Sequence, residues 1–165
     1  MRDPAELFAK QFLPSRGTPL SVARVLRTRQ FERFSVTAFA VHGPEAMRLG
    51  AGGYDLDGRL ADGGFLSSTS VRGTAWGSWA SIDDSTIVVA LDPSGHASSL
   101  RLRDDPGHHV EDTPVNGVAI LRIGPAELDM TSTVAQWLDP QGAVLDSFIP
   151  LAGRRAQTSV HGDGP

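Results

Sequence analysis

Apolar positions alternate with polar ones over short stretches through most of the chain, the period of a β-strand. The clearest case is 85–91, "STIVVAL", where Ile87, Val89 and Leu91 line one face and Val88 and Ala90 the other, so the strand is expected to be covered on both sides. Residues 98–103, "SSLRLR", put Leu100 and Leu102 inward and Arg101 and Arg103 outward. Residues 34–41, 115–123, 132–138 and 144–151 read as further strands. Residues 21–33 fit either period, through Val22, Val25, Leu26 and Arg29 for a helix or Val25 and Phe31 for a strand, and are read as a strand. Residues 65–80 have β character broken by glycines.

The N-terminus alone has a helical pattern. Asp3 can accept a hydrogen bond from the first amides, Pro4 needs no amide partner, and Glu6 completes a capping-box pattern. Leu7, Phe8 and Phe12 then share a face, and Pro14 ends the helix. The helix either docks on the main body, the preferred reading, or belongs to a partner interface. The chain divides into a helix at 1–14, a linker at 15–20, a β-domain at 21–151 and a polar, Gly-rich tail at 152–165 that is expected to fray. Seven to nine short strands with little helix predict a mainly-β fold: a single antiparallel β-sandwich, immunoglobulin-like, or a partly open barrel.

Turn residues punctuate this pattern. Asp57-Gly58 is a hairpin signal, and Asp62-Gly63-Gly64 reads as another turn. One turn is written twice: "STIVVALDPSG" from Ser85 aligns without a gap to "STVAQWLDPQG" from Ser132. Asp, Pro and Gly occupy the preferred places of a type I turn in both, which predicts two hairpin tips. Calcium does not fit, since one carboxylate per loop falls far short of the six to eight oxygens that Ca²⁺ takes.

Composition narrows the function classes. At 165 residues the chain is long enough for one domain with a real core. The net charge of -4 leaves no basic footprint for nucleic acid or an anionic membrane surface. The absence of cysteine removes disulfides, thiolate metal sites and cysteine nucleophiles. No stretch reaches the roughly 18 apolar residues of a membrane span, so no membrane insertion is expected. Asp3, Glu6 and Lys10 rule out a signal-peptide core; the chain as given is expected in the cytoplasm, and outside it if an export segment was trimmed. Arg outnumbers Lys fourteen to one, a GC-rich, actinobacterial kind of bias.

Little in the chain looks catalytic. "DDPGHHVED" (104–112) is the densest polar cluster; His108, His109 and Glu111 are weak metal candidates, and a solvated loop between the strands at 98–103 and 115–123, the preferred reading, explains the same residues. Asp55, Asp57 and Asp62 lack the glycine spacing of an EF-hand loop and read as hairpin residues. "FLSSTS" (65–70) has no nucleophile elbow around it, and His42 and His161 have no evident triad companions. Trp76 and Trp79, three apart, face opposite sides of a strand, so one can serve as a contact residue while the other packs. Trp137, flanked on its face by Thr133 and Ala135, reads as core.

The segment 71–151 resembles β-sandwich domains found outside the membrane in many actinobacterial proteins of unknown function. The resemblance rests on "GTAWGSWA" (73–80), "TIVVALDPSG", "SSLRLR", "NGVAILRIGP" and "VAQWLDPQGAVL". It implies a sandwich module that binds or senses something and carries over no catalytic residue. The expected function is therefore a non-catalytic protein-interaction or accessory domain without cofactor. Its contact residues would be Trp76, Trp79, Phe8 and Phe12, and its partner another protein or a second copy of the chain. The alternatives are a structural or assembly component of a larger particle, and a metal-dependent hydrolase or carbohydrate-binding module.

Overall fold

The computed structural model describes residues 3–13, 21–43, 47–57, 59–67, 75–81, 84–92 and 94–150. The expected linker and tail, Ser68–Ser70 and His161 lie outside them. Helix α1 spans Pro4–Phe12, with Asp3 as its N-cap: the Asp3 Oδ1 accepts from the Ala5 N–H at 3.0 Å. Its C-cap Leu13 is extended, as a residue preceding proline should be.

Eleven strands follow: β1 (Ser21–Gln30), β2 (Phe34–His42), β3 (Met47–Asp55), β4 (Leu60–Leu66), β5 (Ala75–Ala80), β6 (Thr86–Leu91), β7 (Ser99–Arg103), β8 (His109–Asp112), β9 (Val118–Ile123), β10 (Val134–Leu138) and β11 (Val144–Phe148). They form three antiparallel sheets: a first of order β1-β2-β3-β4, a central one of order β5-β6-β9, and a third of order β11-β10-β7-β8. The mainly-β class is as predicted, with three sheets where a sandwich has two.

Side-chain alternation stacks the sheets. Ile87 and Val89 of β6 join Val36, Ala38, Leu49 and Phe65 in one core, between the first and central sheets. Val88 and Ala90 join Leu100, Leu102, Ala135 and Trp137 in a second, between the central and third sheets. The two-sided strand read from the sequence is thus the middle of the molecule. Ile87, Val88 and Val89 lose all contact with water, each worth roughly 1.5–3 kcal/mol.

A third core lies under α1, on the outer face of the first sheet, and holds Phe8, Phe39, Val41 and Tyr54. The Phe8 ring sits where a Cβ on Gly50 would lie only 2.4 Å from it, so the helix docks into a notch cut by a missing side chain.

Three stretches differ from the sequence reading. Asp62-Gly63-Gly64 is not a turn but the middle of β4. Its glycines make room for rings: a Cβ on Gly63 would strike Trp79, and one on Gly64 the Ala51 carbonyl and Phe12. Strand β3 carries three glycines, Gly50, Gly52 and Gly53, which hide its β pattern. Residues 115–123 are not one strand. Val115 and Val118 exchange two backbone hydrogen bonds of 2.9 Å around Asn116 (φ 51°) and Gly117 (φ 77°), a tight hairpin turn, and the strand starts at Val118.

Candidate functional site

The helical aromatics fill the chain's own core. Phe8 is fully buried, stacked on Phe39 at 4.8 Å and Phe12 at 5.0 Å, and the Tyr54 hydroxyl donates to the Pro4 carbonyl at 3.1 Å. Burial, with the Asp3 charge nearby, pushes that hydroxyl well above its ordinary pKa, so it remains a donor. Trp79 is buried between the first and central sheets beside Phe65. Trp76 faces the third sheet, half-buried, and stacks on Phe148 of β11 with centroids 4.8 Å apart. Of the four predicted contact residues, Phe8 and Trp79 are thus closed to a partner in this conformation, and Trp76 is the tryptophan nearer the surface. Trp137 is core, between the central and third sheets.

The histidine cluster is split by its own strand. The β7–β8 hairpin places His109 and Glu111 on one face of β8 opposite Arg103 and Arg101, and Glu111 pairs with the Arg101 Nε. His108 lies in the turn, its Nδ1 3.0 Å from the Asp104 Oδ2. Among the described residues no three His, Cys, Asp or Glu side chains come together as a metal cradle. The chemistry of this turn belongs to Asp104, whose buried carboxylate accepts from the Gly107, His108 and Asp129 amides (2.9, 2.7 and 3.0 Å). Desolvation raises its pKa, but these bonds and His108 outweigh that and hold it at about 2. The turn is solvent-exposed from Asp105 to His109 and is organised around the buried Asp104.

The most concentrated polar arrangement was not flagged from sequence. The Asp112 side chain, 9% exposed, sits at the end of β8 where edge strands of all three sheets converge. Its Oδ2 lies 2.6 Å from the Arg27 Nη1, and its Oδ1 3.1 Å from the Arg29 Nη1, both on β1. The Arg27 Nη1 also donates to the carbonyls of Val118 (2.9 Å) and Thr113 (3.2 Å), and Arg29 to that of Ile120. The Ile120 N–H donates to the Asp112 Oδ2 at 2.8 Å, and the Asn116 side-chain amide to the Leu26 carbonyl at 2.8 Å. A cleft of about 400 Å³ opens beside them, lined by Arg27, Ser99, Glu111, Asp112, Thr113 and Val115. Both Asp112 oxygens are engaged, by the two guanidinium groups and the Ile120 amide, so the carboxylate joins edge strands of all three sheets. Arg27 and Asp112 are 85 residues apart, so no local spacing could have announced them.

The opposite side of the third sheet differs. Strand β11 is an edge strand, and Val144, Leu145 and Ile149 stand about half exposed, at 48–54%. No helix among the described residues is long and apolar enough to cross a membrane. Comparisons with protein-family models, curated proteins and solved structures yielded no match to this chain.

Proposed function

We propose that the protein is a non-catalytic protein-interaction module, sandwich-like and of immunoglobulin-like type, whose contact surface is the β11 edge of the third sheet. The observation that carries this reading is the exposure of Val144 and Leu145 on, and of Ile149 just beyond, a strand that, among the described residues, pairs only with β10. Large apolar side chains on an open edge are a liability unless something covers them. The partner this edge fits is an extended apolar segment of another protein, added as a further strand, with backbone hydrogen bonds for affinity and side-chain pockets for selection. The Trp76–Phe148 stack beside it supplies a rigid aromatic support.

The test compares capture by the native chain with capture by a Val144→Lys, Leu145→Lys variant and by an Arg103→Ala control on the same sheet. A partner held by the native chain and the control and lost by the double variant supports the reading, provided it slows amide exchange over 144–148. A partner held equally by all three overturns it. Recovery of only the chain itself moves the function to assembly.

A further inference from the structure

We infer that Arg27, Arg29 and Asp112 act as a substitute strand that closes the free edge of β9 and keeps it from pairing with a second copy of the chain. Among the described residues β9 pairs along its length only with β6, as the end strand of the central sheet; on its other side Val118 alone exchanges backbone hydrogen bonds, with Val115 across the turn. In an antiparallel ladder, alternate residues direct their N–H and C=O to opposite sides. The Val118 carbonyl and both backbone groups of Ile120 are the ones met by side chains from outside the sheet. A neighbouring strand would offer N–H donors to the two carbonyls and a C=O acceptor to the Ile120 amide. Two guanidinium groups and a carboxylate take those places here, donors to carbonyls and acceptor to amide. They come from β1 and β8, so the cap is built by the other two sheets.

The edge needs closing. "VAILRI" (118–123) is six residues of strong β propensity with one charge and no Pro or Gly, the pattern of a segment that adds strands readily. Its four apolar side chains at 118–121 are buried in both cores, so loss of the cap would expose a flat template rather than a loose end. This inference is independent of the reading of β11, and its test uses the Val144→Lys background to silence that edge.

In Asp112→Ala the Ile120 amide, left without its acceptor, should exchange at least about tenfold faster, while that of Leu121, directed to β6, keeps its rate. Light scattering on a concentration series should show dimers or larger species that the Val144→Lys parent does not form. Where Asp112→Ala fails to fold, Arg29→Gln carries the test, since Arg29 is partly exposed and Arg27 still pairs with Asp112. It should associate with concentration to a smaller extent. A variant that stays as monomeric as its parent, or in which Ile120 and Leu121 exchange speeds up together, overturns the inference.

Discussion

Two strands of this molecule face the same problem and meet it differently. Strand β9 ends the central sheet and β11 ends the third. Both have backbone groups on a side where, among the described residues, no further strand of the sheet lies. At β9 the Val118 carbonyl and both outward groups of Ile120 are met by Arg27, Arg29 and Asp112, the Val118 N–H donates to the Val115 carbonyl, and the side chains at 118–121 are buried. At β11 the side chains from Val144 to Ser147 are exposed, the backbone pairs with β10, and Phe148 stacks on Trp76. The closed edge ties three sheets together, so altering it disturbs the whole stack. If β11 is the docking surface we propose, covering or uncovering the open edge should leave the fold intact.

The largest effect should follow from opening the closed edge. Asp112→Ala leaves the Arg27 guanidinium largely buried without its counter-ion and the Ile120 amide without an acceptor. Breaking a buried pair this way costs about 3 kcal/mol. Glu111→Ala, one residue away on the exposed face of β8, removes an ion pair whose partners are 36% and 37% exposed, and should cost less than about 0.5 kcal/mol. Urea unfolding of the two variants tests both figures. Equal losses would mean that burial does not set the difference between them.

Next comes the anchor of the open edge. Removing either ring of the half-buried Trp76–Phe148 stack, by Trp76→Ala or Phe148→Ala, should cost about 1–2 kcal/mol. Amide exchange should rise over β10–β11 and not over β9. A rise spread evenly across both edges would show that they are not independent.

Acid sharpens the comparison from the side of the β7–β8 turn, which leads into the strand carrying Asp112. The folded Asp104 carboxyl, at about 2, lies below its ordinary 3.8, because amides of Gly107, His108 and Asp129 and the His108 ring outweigh the upward push of burial. Its folded-state pKa is depressed, so its contribution to stability is present above about pH 4 and is lost as pH falls toward 2. Asp129 is lowered in the same direction, chiefly by the Thr131 hydroxyl and amide. Melting followed from pH 7 to pH 2 should decline most below pH 4. Asp104→Asn should melt lower at neutral pH and flatten that decline; an unchanged acid limb would place the lability elsewhere.

How much of this could be read from residues alone depends on whether the cause was local. The alternation of Ile87, Val88, Val89 and Ala90 announced a strand covered on both faces, and Leu100 and Leu102 against Arg101 and Arg103 announced one covered on a single face. The capped helix was legible for the same reason. Where a residue answers to a distant partner, the pattern misled: Gly63 and Gly64 look like a turn until Trp79 and Phe12 are seen lying against them. The reverse error fell on Asn116-Gly117, a strong local turn signal absorbed into a strand because apolar residues flank it.

The repeated Leu-Asp-Pro-x-Gly shows where local chemistry stops. At Asp139 the carboxylate accepts from Gln141 and Ala143, Gly142 turns with φ 84°, and the Asp139 N–H meets the Ala143 carbonyl, closing the β10–β11 hairpin as predicted. At Asp92 the carboxylate accepts from Ser94 and Ala97 and Gly95 turns with φ 72°. This loop is not a hairpin tip, because β6 belongs to the central sheet and β7 to the third. His96, Ala97 and Ser98 stand before β7, where Ala143 alone stands before β11, and the longer exit lets the chain leave its sheet. The Asp92 N–H pairs with the Gly117 carbonyl across the central sheet instead. The tetrapeptide sets the bend, and the residues after it set the destination.

The smallest expected change in stability is the one most closely tied to function. Val144 and Leu145 are about half exposed, so Val144→Lys and Leu145→Lys should each shift unfolding by less than about 0.5 kcal/mol. A lysine on an open edge is also a common way of blocking strand addition, because its charge would have to be desolvated as a new strand arrives. The variants should therefore fold and melt as the native chain does, keep Ile120 protected, and lose the capacity to take up an extended partner. If instead they melt several degrees lower, β11 is held in place by contacts of those side chains with the chain itself, and the edge is part of the core rather than a surface kept for another protein.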